Sequence, residues 1–299
     1  MSRVRPAPLP VRDGLGPARV RLRGTAGTSA ASGGEPCAVL VELADRFGEA
    51  VAAKVFDGGV LTADGRAVTP ATVLPPGTHV YLYRDLPVEV PVPFAMPVLY
   101  RDDNIVVVDK PHFLATMPRG RHIAETAVVR LRRALDLPEL SPAHRLDRLT
   151  AGVLLFTTRR EIRGAYQTMF SDGAVAKVYL ARSAGHAAVD LPTVVCSRII
   201  KVRGRLQAFE EPGEPNAETL VEHLGDDLYR LTPRTGRTHQ LRVHMASIAL
   251  PLRNDPLYPD IVDVAPDDFT GPLQLLAHTV EFDDPLTGRP HRFVTGQTL

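Results

Sequence analysis

A run of twelve residues, HRLDRLTAGVLL at 144–155, constrains the fold more than any other part of the chain. Ionisable side chains crowd its first half, a Thr-Ala-Gly turn follows, and the run ends as an apolar strand. A strand that enters the core holds the preceding loop on a rigid support, where reactive groups tend to be placed. From the residues alone, however, the commoner interpretation of Asp147 between two arginines is a surface ion pair.

Composition and periodicity divide the 299-residue chain into four segments. They are a flexible Arg-rich segment, a small helix-and-hairpin module, a stiff Pro-rich linker and a large domain, at residues 1–37, 38–86, 87–97 and 98–299. In the large domain, strands and helices are interleaved without βαβ regularity or a Gly-rich dinucleotide fingerprint. That order favours an α+β fold over a doubly wound one.

The small module begins with apolar residues at helical spacing from Leu40, and Gly58-Gly59 stops the predicted helix. A hairpin is expected to turn at Asp64-Gly65, and a strand follows at 79–83. The basic segment ahead of this module can contact RNA phosphate, and it can equally be a solvated end.

Composition excludes several classes of protein. With 44% hydrophobic and 23% charged residues, the chain is typical of a globular protein, and no apolar run is long enough to span a membrane. The N-terminus lacks the apolar stretch of a secretory signal, so we expect a cytoplasmic protein. Cys37 and Cys196 have no metal-ligand spacing, which predicts free thiols in a reducing compartment. The net charge of +1 neither indicates nor excludes RNA binding.

Four segments resemble the RluA-type pseudouridine synthases, and the resemblance extends over about residues 96–299. The run at 144–155 matches the family's HRLDxxTSGLLL motif, with Ala151 for Ser and Val153 for Leu. The other three, in chain order, are VLYRDDNIVVVDKP at 98–111, AKVYLA at 176–181 and TGRTHQLRVH at 235–244. The chain departs from the family pattern at Asn254, where Gly is usual, and at Leu276, where His is usual.

The resemblance implies the α+β pseudouridine synthase fold, with a central mixed, largely antiparallel sheet and flanking helices. It also implies that residues 38–86 are a small α/β RNA-binding-like module. The expected activity is that of an isomerase, which converts chosen uridines in structured RNA to pseudouridine after base flipping. Ribosomal RNA is the favoured substrate and transfer RNA the alternative. Because the reaction involves neither redox change nor an external group, we expect no cofactor and no metal, and we expect a monomer.

The resemblance assigns Asp147 as the catalytic carboxylate and leaves open whether it attacks C1′, attacks the uracil ring or removes a sugar proton. Arg237 is expected to pair with Asp147, since a nearby positive charge favours an ionised carboxylate. Tyr179 is expected to stack on the uracil and help to move the C5 proton, although periodicity alone would make it a core residue. Arg145 is expected to fill the vacated base stack. The other predicted RNA contacts are His144, which is equally well a structural histidine, and Arg148, Thr150, Gln240, Leu241, Arg242 and His244.

Two other functions fit parts of the pattern. A metal-dependent hydrolase would use His144, Asp147, His239 and His244, but Cys or Glu ligands that would complete the set are missing. A catalytically silent RNA-binding protein could use the same scaffold. Such a protein has no chemical need for Asp147, Tyr179 and Arg237 together.

Overall fold

The computed structural model describes residues 7–24, 37–86 and 88–299. The chain divides into two compact units, Met1–Val88 and Glu89–Leu299, and each has its own apolar core. Within the described ranges, no helix is both long and apolar enough to cross a bilayer.

The first unit contains short strands and two short helices. They are β1 (Ala18–Arg21), β2 (Cys37–Ala38), α1 (Val39–Phe47), α2 (Glu49–Ala53), β3 (Val60–Thr62), β4 (Val73–Leu74) and β5 (His79–Leu82). Three strands form an antiparallel sheet in the order β1-β5-β3, and β2 pairs with β4. Val39, Leu43, Val60 and Val80 are fully buried at the centre of this unit.

The helix predicted for this unit is interrupted before it reaches Gly58. Gly48 has a φ of 87°, a left-handed value that ends α1 and separates it from α2. The predicted hairpin is present, since β3 returns through Gly65 to a bridge between Leu61 and Ala67. The predicted strand at 79–83 corresponds to β5.

Part of the segment predicted to be flexible, residues 1–37, is ordered. β1 pairs with β5, and Leu22 directly after it is buried. The buried carboxylate of Glu42 on α1 accepts a hydrogen bond from the backbone N–H of Arg23 at 2.7 Å. The prediction was wrong for residues 18–22, because apolar residues alternate with the arginines there, a pattern that favours a strand with one buried face. Residues 1–6 and 25–36 lie outside the described part of the chain.

The second unit is a large sheet with three helices. Its helices are α3 (Ala127–Leu135), α4 (Arg163–Ser171) and α5 (Gln240–Ser247). Its strands are β6 (Val98–Arg101), β7 (Ile105–Lys110), β8 (Ser141–Pro142), β9 (Ala151–Thr157), β10 (Ala176–Arg182), β11 (Thr193–Ile200), β12 (Phe209–Glu211), β13 (Ala217–Gly225), β14 (Leu228–Pro233), β15 (Leu275–Asp283) and β16 (Pro290–Val294).

Nine of these strands follow one another across the sheet in the order β12-β11-β13-β14-β10-β15-β9-β7-β6, while β16 pairs with β15 and β8 with β9. The pairing of β15 with β9 is parallel, and the other paired strands are antiparallel. The predicted α+β fold with a mixed, largely antiparallel sheet is therefore confirmed.

The parallel junction of β9 and β15 requires a glycine. Gly152 pairs with Ala277 and has a φ of 111°, where L side chains are strained. A Cβ atom at this position would overlap the carbonyl oxygen of Ala277. The glycine of the Thr-Ala-Gly turn thus allows β9 to begin directly against β15, immediately after the loop that contains Asp147.

The predicted linker at 87–97 is tied to the second unit from Glu89 onward. The Glu89 carboxylate accepts hydrogen bonds from three successive backbone N–H groups, at residues 123–125, at 2.7–3.1 Å. Arg130 of α3 donates to the carbonyl of Val92 at 2.6 Å. These contacts anchor the chain before the first turn of α3, where a negative charge also complements the helix dipole.

We therefore expect a chain that begins at Glu89 to be more stable than one that begins at Pro93. The shorter chain loses the carboxylate that satisfies three N–H groups, a loss of about 1–3 kcal/mol in the free energy of unfolding. Urea denaturation of both chains measures the difference. Glu89→Gln in the longer chain keeps one acceptor oxygen and removes the charge, so its stability should be intermediate. Equal stability of the two truncated chains would contradict the anchoring.

Candidate active site

The loop that contains Asp147 is a tight turn between β8 and β9. The carbonyl of Asp147 accepts the N–H of Thr150 at 3.1 Å. The buried hydroxyl of Thr116 donates to the carbonyl of Leu146 at 2.7 Å and accepts the N–H of Leu146 at 3.2 Å. These bonds hold the backbone on both sides of Asp147, so its side chain projects from a rigid support.

A buried lysine supports the same loop. Lys110, the last residue of β7, is 0% exposed, and its ammonium donates to the carbonyls of Pro111, Leu114 and Arg148 at 3.0, 2.7 and 3.3 Å. Burial lowers the pKa of Lys110 to about 7, while the carboxylate of Asp147 acts in the opposite direction. The three carbonyl acceptors therefore offset part of the cost of burying this amine.

The cation paired with Asp147 is Arg242 in the first turns of α5. Its Nη1 lies 3.4 Å from Oδ2 of Asp147, and its Nε and Nη2 donate to both oxygens of Asp255 at 2.8 and 2.5 Å. The side chains of Arg242 and Asp255 are 3% and 0% exposed, whereas that of Asp147 is 33% exposed. One guanidinium thus bridges a buried carboxylate and a carboxylate that is open to solvent.

His239, immediately before α5, is the second basic neighbour of Asp147. Its backbone is left-handed, with a φ of 58°, and its Nδ1 lies 2.9 Å from the hydroxyl of Tyr258. Its Nε2 lies 3.9 Å from Oδ2 of Asp147. Burial, together with the positive charges of Arg242 and Lys201, lowers the pKa of His239, and the carboxylate of Asp147 opposes this effect.

Tyr179 lies on β10, where the ladder to β15 shifts register. The irregularity falls between Val178 and Tyr179, at the edge of the candidate site. Burial and the nearby carboxylate of Asp147 raise the pKa of Tyr179 well above its usual range. The hydroxyl is therefore protonated at neutral pH.

A cavity of about 790 Å³ opens above these side chains, a size typical of small-molecule sites. Asp147, Tyr179, His239 and Arg242 line it, together with Arg145, Thr150, Leu241 and Arg237. The structure therefore brings the predicted catalytic carboxylate, the predicted tyrosine and several predicted contact residues around one cleft.

Arg237 is not the partner of Asp147, contrary to the prediction. Its side chain is exposed, and its Nε donates to the carbonyl of Asn216 at 2.9 Å. Arg237 precedes α5, whereas Arg242 lies on the helix and faces Asp147. A motif match places both arginines near the site, but only the path of the backbone through His239 decides which one meets the carboxylate.

Two predicted RNA contacts on α5 are instead satisfied inside the protein. The buried amide of Gln240 accepts from Thr235 and from the N–H of Arg237, and it donates to Glu218 and Thr219. The ring nitrogens of His244 lie 2.9 Å from Oγ1 of Thr219 and 3.1 Å from Oγ of Ser197. Burial lowers the pKa of His244 to about 4, and its side chain is 0% exposed. Both residues join α5 to the sheet. The predicted RNA contact of His244 is corrected, because this side chain is fully buried and does not line the cavity, whereas Gln240 does line it.

The structure favours the structural alternative for His144. Its Nε2 accepts the N–H of Leu155 at 3.2 Å, and its ring stacks on Phe170 with the centroids 4.2 Å apart. Burial lowers the pKa of His144 to about 3, so the ring is neutral. Arg145 beside it is exposed on the cavity wall and pairs with no acidic residue in the described part of the chain. Arg148 does not line the cavity.

The metal ligand set considered for a hydrolase is not assembled. His144 and His244 are engaged elsewhere, and only His239 lies near Asp147. Among the residues that the structure describes, no three His, Cys, Asp or Glu side chains are grouped to hold a metal ion.

The site also contains residues whose roles were not predicted from the sequence. Asp255 and Tyr258 were not among the predicted site residues, and Lys110 occurred only within a matching segment. The sequence from Asp255 to Tyr258 indicates a turn that is closed by an aspartate side chain. In the structure, the Asp255 carboxylate accepts the N–H groups of Leu257 and Tyr258 at 2.9 and 3.2 Å. Nothing in the sequence indicated that Asp255 binds Arg242.

Comparisons with known proteins agree with this architecture. Residues 104–247 match the family model described as RNA pseudouridylate synthase. The dual-specificity RNA pseudouridine synthase RluA of Salmonella typhi is 34% identical over an alignment of 208 residues that covers 66% of this chain and 90% of that protein. Human pseudouridylate synthase RPUSD2 is 34% identical over an alignment of 170 residues that covers 54% of this chain but only 30% of that protein.

Solved structures show the same fold. The human RNA pseudouridylate synthase domain containing 1 protein superposes with a TM-score of 0.55 at 23% identity, over 70% of this chain and 86% of that one. The human domain containing 4 protein gives a TM-score of 0.53 at 24% identity, over 67% and 88% of the two chains.

Sequence and fold together place the chain among the RNA pseudouridine synthases. Within that class, the chain belongs to the RluA-type family.

Arg242→Gln should destabilise the protein by about 3–5 kcal/mol, because it leaves the buried carboxylate of Asp255 without its cation. Arg237→Gln is the matched control, and a change at this exposed side chain should fall within about 0.5 kcal/mol. Chemical denaturation measures both free energies of unfolding. Equal effects of the two variants would contradict the assignment of Arg242 as the structural partner.

Proposed function

We propose that this chain isomerises specific uridines in structured RNA, with Asp147 as the catalytic carboxylate and ribosomal RNA as the favoured substrate. The observation that carries the proposal is the position of Asp147. It is partly exposed at the cavity while its backbone is held by Thr116 and Thr150 and its carboxylate by Arg242. A reactive carboxylate requires this combination of access and fixed geometry.

The reaction breaks the bond between N1 and C1′, turns the uracil and forms a bond between C5 and C1′. No electron or external group is exchanged, so protein side chains suffice. Asp147 is suited to attack C1′ or the uracil ring, or to remove a sugar proton. Tyr179 offers a ring beside the cavity and a hydroxyl that stays protonated.

A uridine within structured RNA must leave its stack before Asp147 can reach it. The proposal assigns the vacated position to Arg145, whose planar guanidinium is exposed on the cavity wall and can stack between bases. Arg119, Arg205 and Arg237 also line the cavity and supply positive charge for phosphate. Specificity then depends on the shape of these walls.

Ribosomal RNA is proposed because the first unit offers a second basic surface on a module of its own. Arg19 and Arg21 lie on β1, and both residues are exposed. Pseudouridine maps of cellular RNA, made with and without the gene, identify the substrate. A lost site in transfer RNA, with ribosomal RNA unchanged, would overturn this part of the proposal.

Asp147→Asn should reduce turnover to background, because it removes the charge and keeps the size of the side chain. Binding of RNA should persist, since the basic cavity wall is unchanged. Tritium release from RNA that contains C5-tritiated uridine measures turnover, and a filter-binding assay measures affinity. Asp103→Asn, an exposed carboxylate outside the cavity, is the matched control and should keep full activity. Release at the wild-type rate from the Asp147 variant would contradict the assignment.

Removing the first unit tests whether it holds RNA through phosphates. A chain of residues 89–299 should bind the same RNA more weakly, and its affinity should depend less steeply on salt, since fewer counterions are released. Selectivity among sequences should persist, because phosphate contacts position the RNA and do not specify its bases. Salt titrations of the two chains give both slopes. Identical affinity and slope would mean that the first unit serves another purpose.

A further inference from the structure

The hydrogen bonds around His239 determine which ring nitrogen carries its proton. The hydroxyl of Tyr258 accepts the N–H of Ala208 at 2.7 Å and donates to the carbonyl of the same residue at 2.7 Å. Ala208 is 0% exposed, and a buried carbonyl without a donor costs about 1–3 kcal/mol. Tyr258 therefore keeps its proton on Ala208, and the 2.9 Å contact with Nδ1 of His239 requires that Nδ1 donate.

A neutral His239 with its proton on Nδ1 has a free lone pair on Nε2. This nitrogen lies 3.9 Å from Oδ2 of Asp147, beyond hydrogen-bond distance, and it hydrogen-bonds to no side chain in the described ranges. His239 also lines the cavity, and its side chain is 12% exposed. The structure thus holds an unoccupied proton acceptor beside the carboxylate, oriented by a partner on its far side.

Three other titratable groups that line the cavity are less suited to accept a proton. Nε2 of His144 already accepts the N–H of Leu155. The ammonium of Lys201 is bound to the carbonyls of Leu206 and Gln207. The raised pKa of Tyr179 makes its phenolate unfavourable at neutral pH. Among the histidines that line the cavity, His239 is the one whose acceptor nitrogen accepts no hydrogen bond from the described part of the chain.

We propose that Nε2 of His239 accepts the proton that leaves C5 of the rotated uracil and returns a proton to N1. This inference rests on the proposed function. Once C5 has bonded to C1′, the C5–H bond breaks, its electrons restore the C5=C6 double bond, and the proton passes to Nε2. N1, which lost its bond to the sugar, takes up one proton. His239 ends neutral, and no other reactant is needed.

This role predicts a pH dependence. Nε2 accepts a proton only when the ring is neutral, so the step slows as the pH falls through the pKa of His239. Burial and the charges of Arg242 and Lys201 place that pKa below the ordinary value of about 6.5, while Asp147 and Asp255 act in the opposite direction. The hydroxyl of Tyr258 faces the ring from its other side. The acidic limb should therefore lie below the ordinary histidine range.

The test compares two substrates in the full-length His239→Asn variant. Asn tolerates the left-handed backbone at this position. Tritium release from C5-tritiated uridine RNA should fall by roughly 10²- to 10⁴-fold, the usual contribution of a general base. Consumption of RNA that contains 5-fluorouridine should continue near the wild-type rate, because that base has no C5 proton to remove. A C5-deuterium isotope effect should be larger in the variant than in the wild type.

The rate of tritium release divided by the rate of consumption of fluorinated RNA isolates the effect of the base that removes the C5 proton. Groups that act on both substrates change the two rates equally and leave this ratio unchanged. In the wild type this ratio should decline in acid, and in His239→Asn it should be independent of pH. Tyr258→Phe keeps the imidazole but removes the acceptor of its Nδ1 proton, so it should shift the pH profile of the ratio. His223→Asn, an exposed histidine outside the cavity, should behave as the wild type.

Equal slowing on both substrates in His239→Asn, or tritium release at the wild-type rate, would overturn the role of His239. A wild-type protein that releases no tritium and consumes no fluorinated RNA would instead refute the proposed function.

Discussion

Much of the site depends on one guanidinium held between two carboxylates. Arg242 binds Asp255 through two hydrogen bonds in a site closed to solvent, and its remaining nitrogen reaches Asp147 at the cavity. Three separate segments, the loop before β9, helix α5 and the turn that contains Asp255, are thereby held in one arrangement. Because a buried charge is tolerated only when it is paired, the carboxylate of Asp255 cannot move away from Arg242 without a large cost. The pair that stabilises the fold also orients the candidate catalytic group.

The end of β7 supplies a second constraint, in which two adjacent residues face opposite sides of the strand. Asp109 accepts hydrogen bonds from the hydroxyl of Thr295 at 2.6 Å and from the N–H of Gly296 at 2.8 Å. Lys110 points the other way and holds the carbonyls beneath the Asp147 loop. One strand end therefore secures the C-terminal residues on one face and the candidate active site on the other.

The residues around Asp147 divide into those that can meet a substrate and those that position others. Arg145, Tyr179 and His239 line the cavity with at least one polar group unused inside the protein. His144, Gln240 and His244 are polar and belong to the same motifs, yet their hydrogen bonds are directed inward. A sequence motif therefore contains both residues that can contact a substrate and residues whose hydrogen bonds lie inside the protein. The motif alone does not distinguish between them.

By itself, the sequence determined the fold class, the mixed sheet, the strand after the Thr-Ala-Gly turn and the family. The fold class and that strand follow from local patterns of apolar residues and turn glycines, whereas the mixed sheet and the family follow from the resemblance of the four ordered motifs. The tertiary structure decided that Arg242 and not Arg237 meets Asp147, that Glu89 anchors the linker, and that residues 18–21 form a strand. Each of these depends on contacts between residues distant in the chain, or on one left-handed residue, His239, that changes the direction of the backbone. Spacing along the sequence does not reveal those contacts, because the distance between two side chains is determined only when the sheet has brought their segments together.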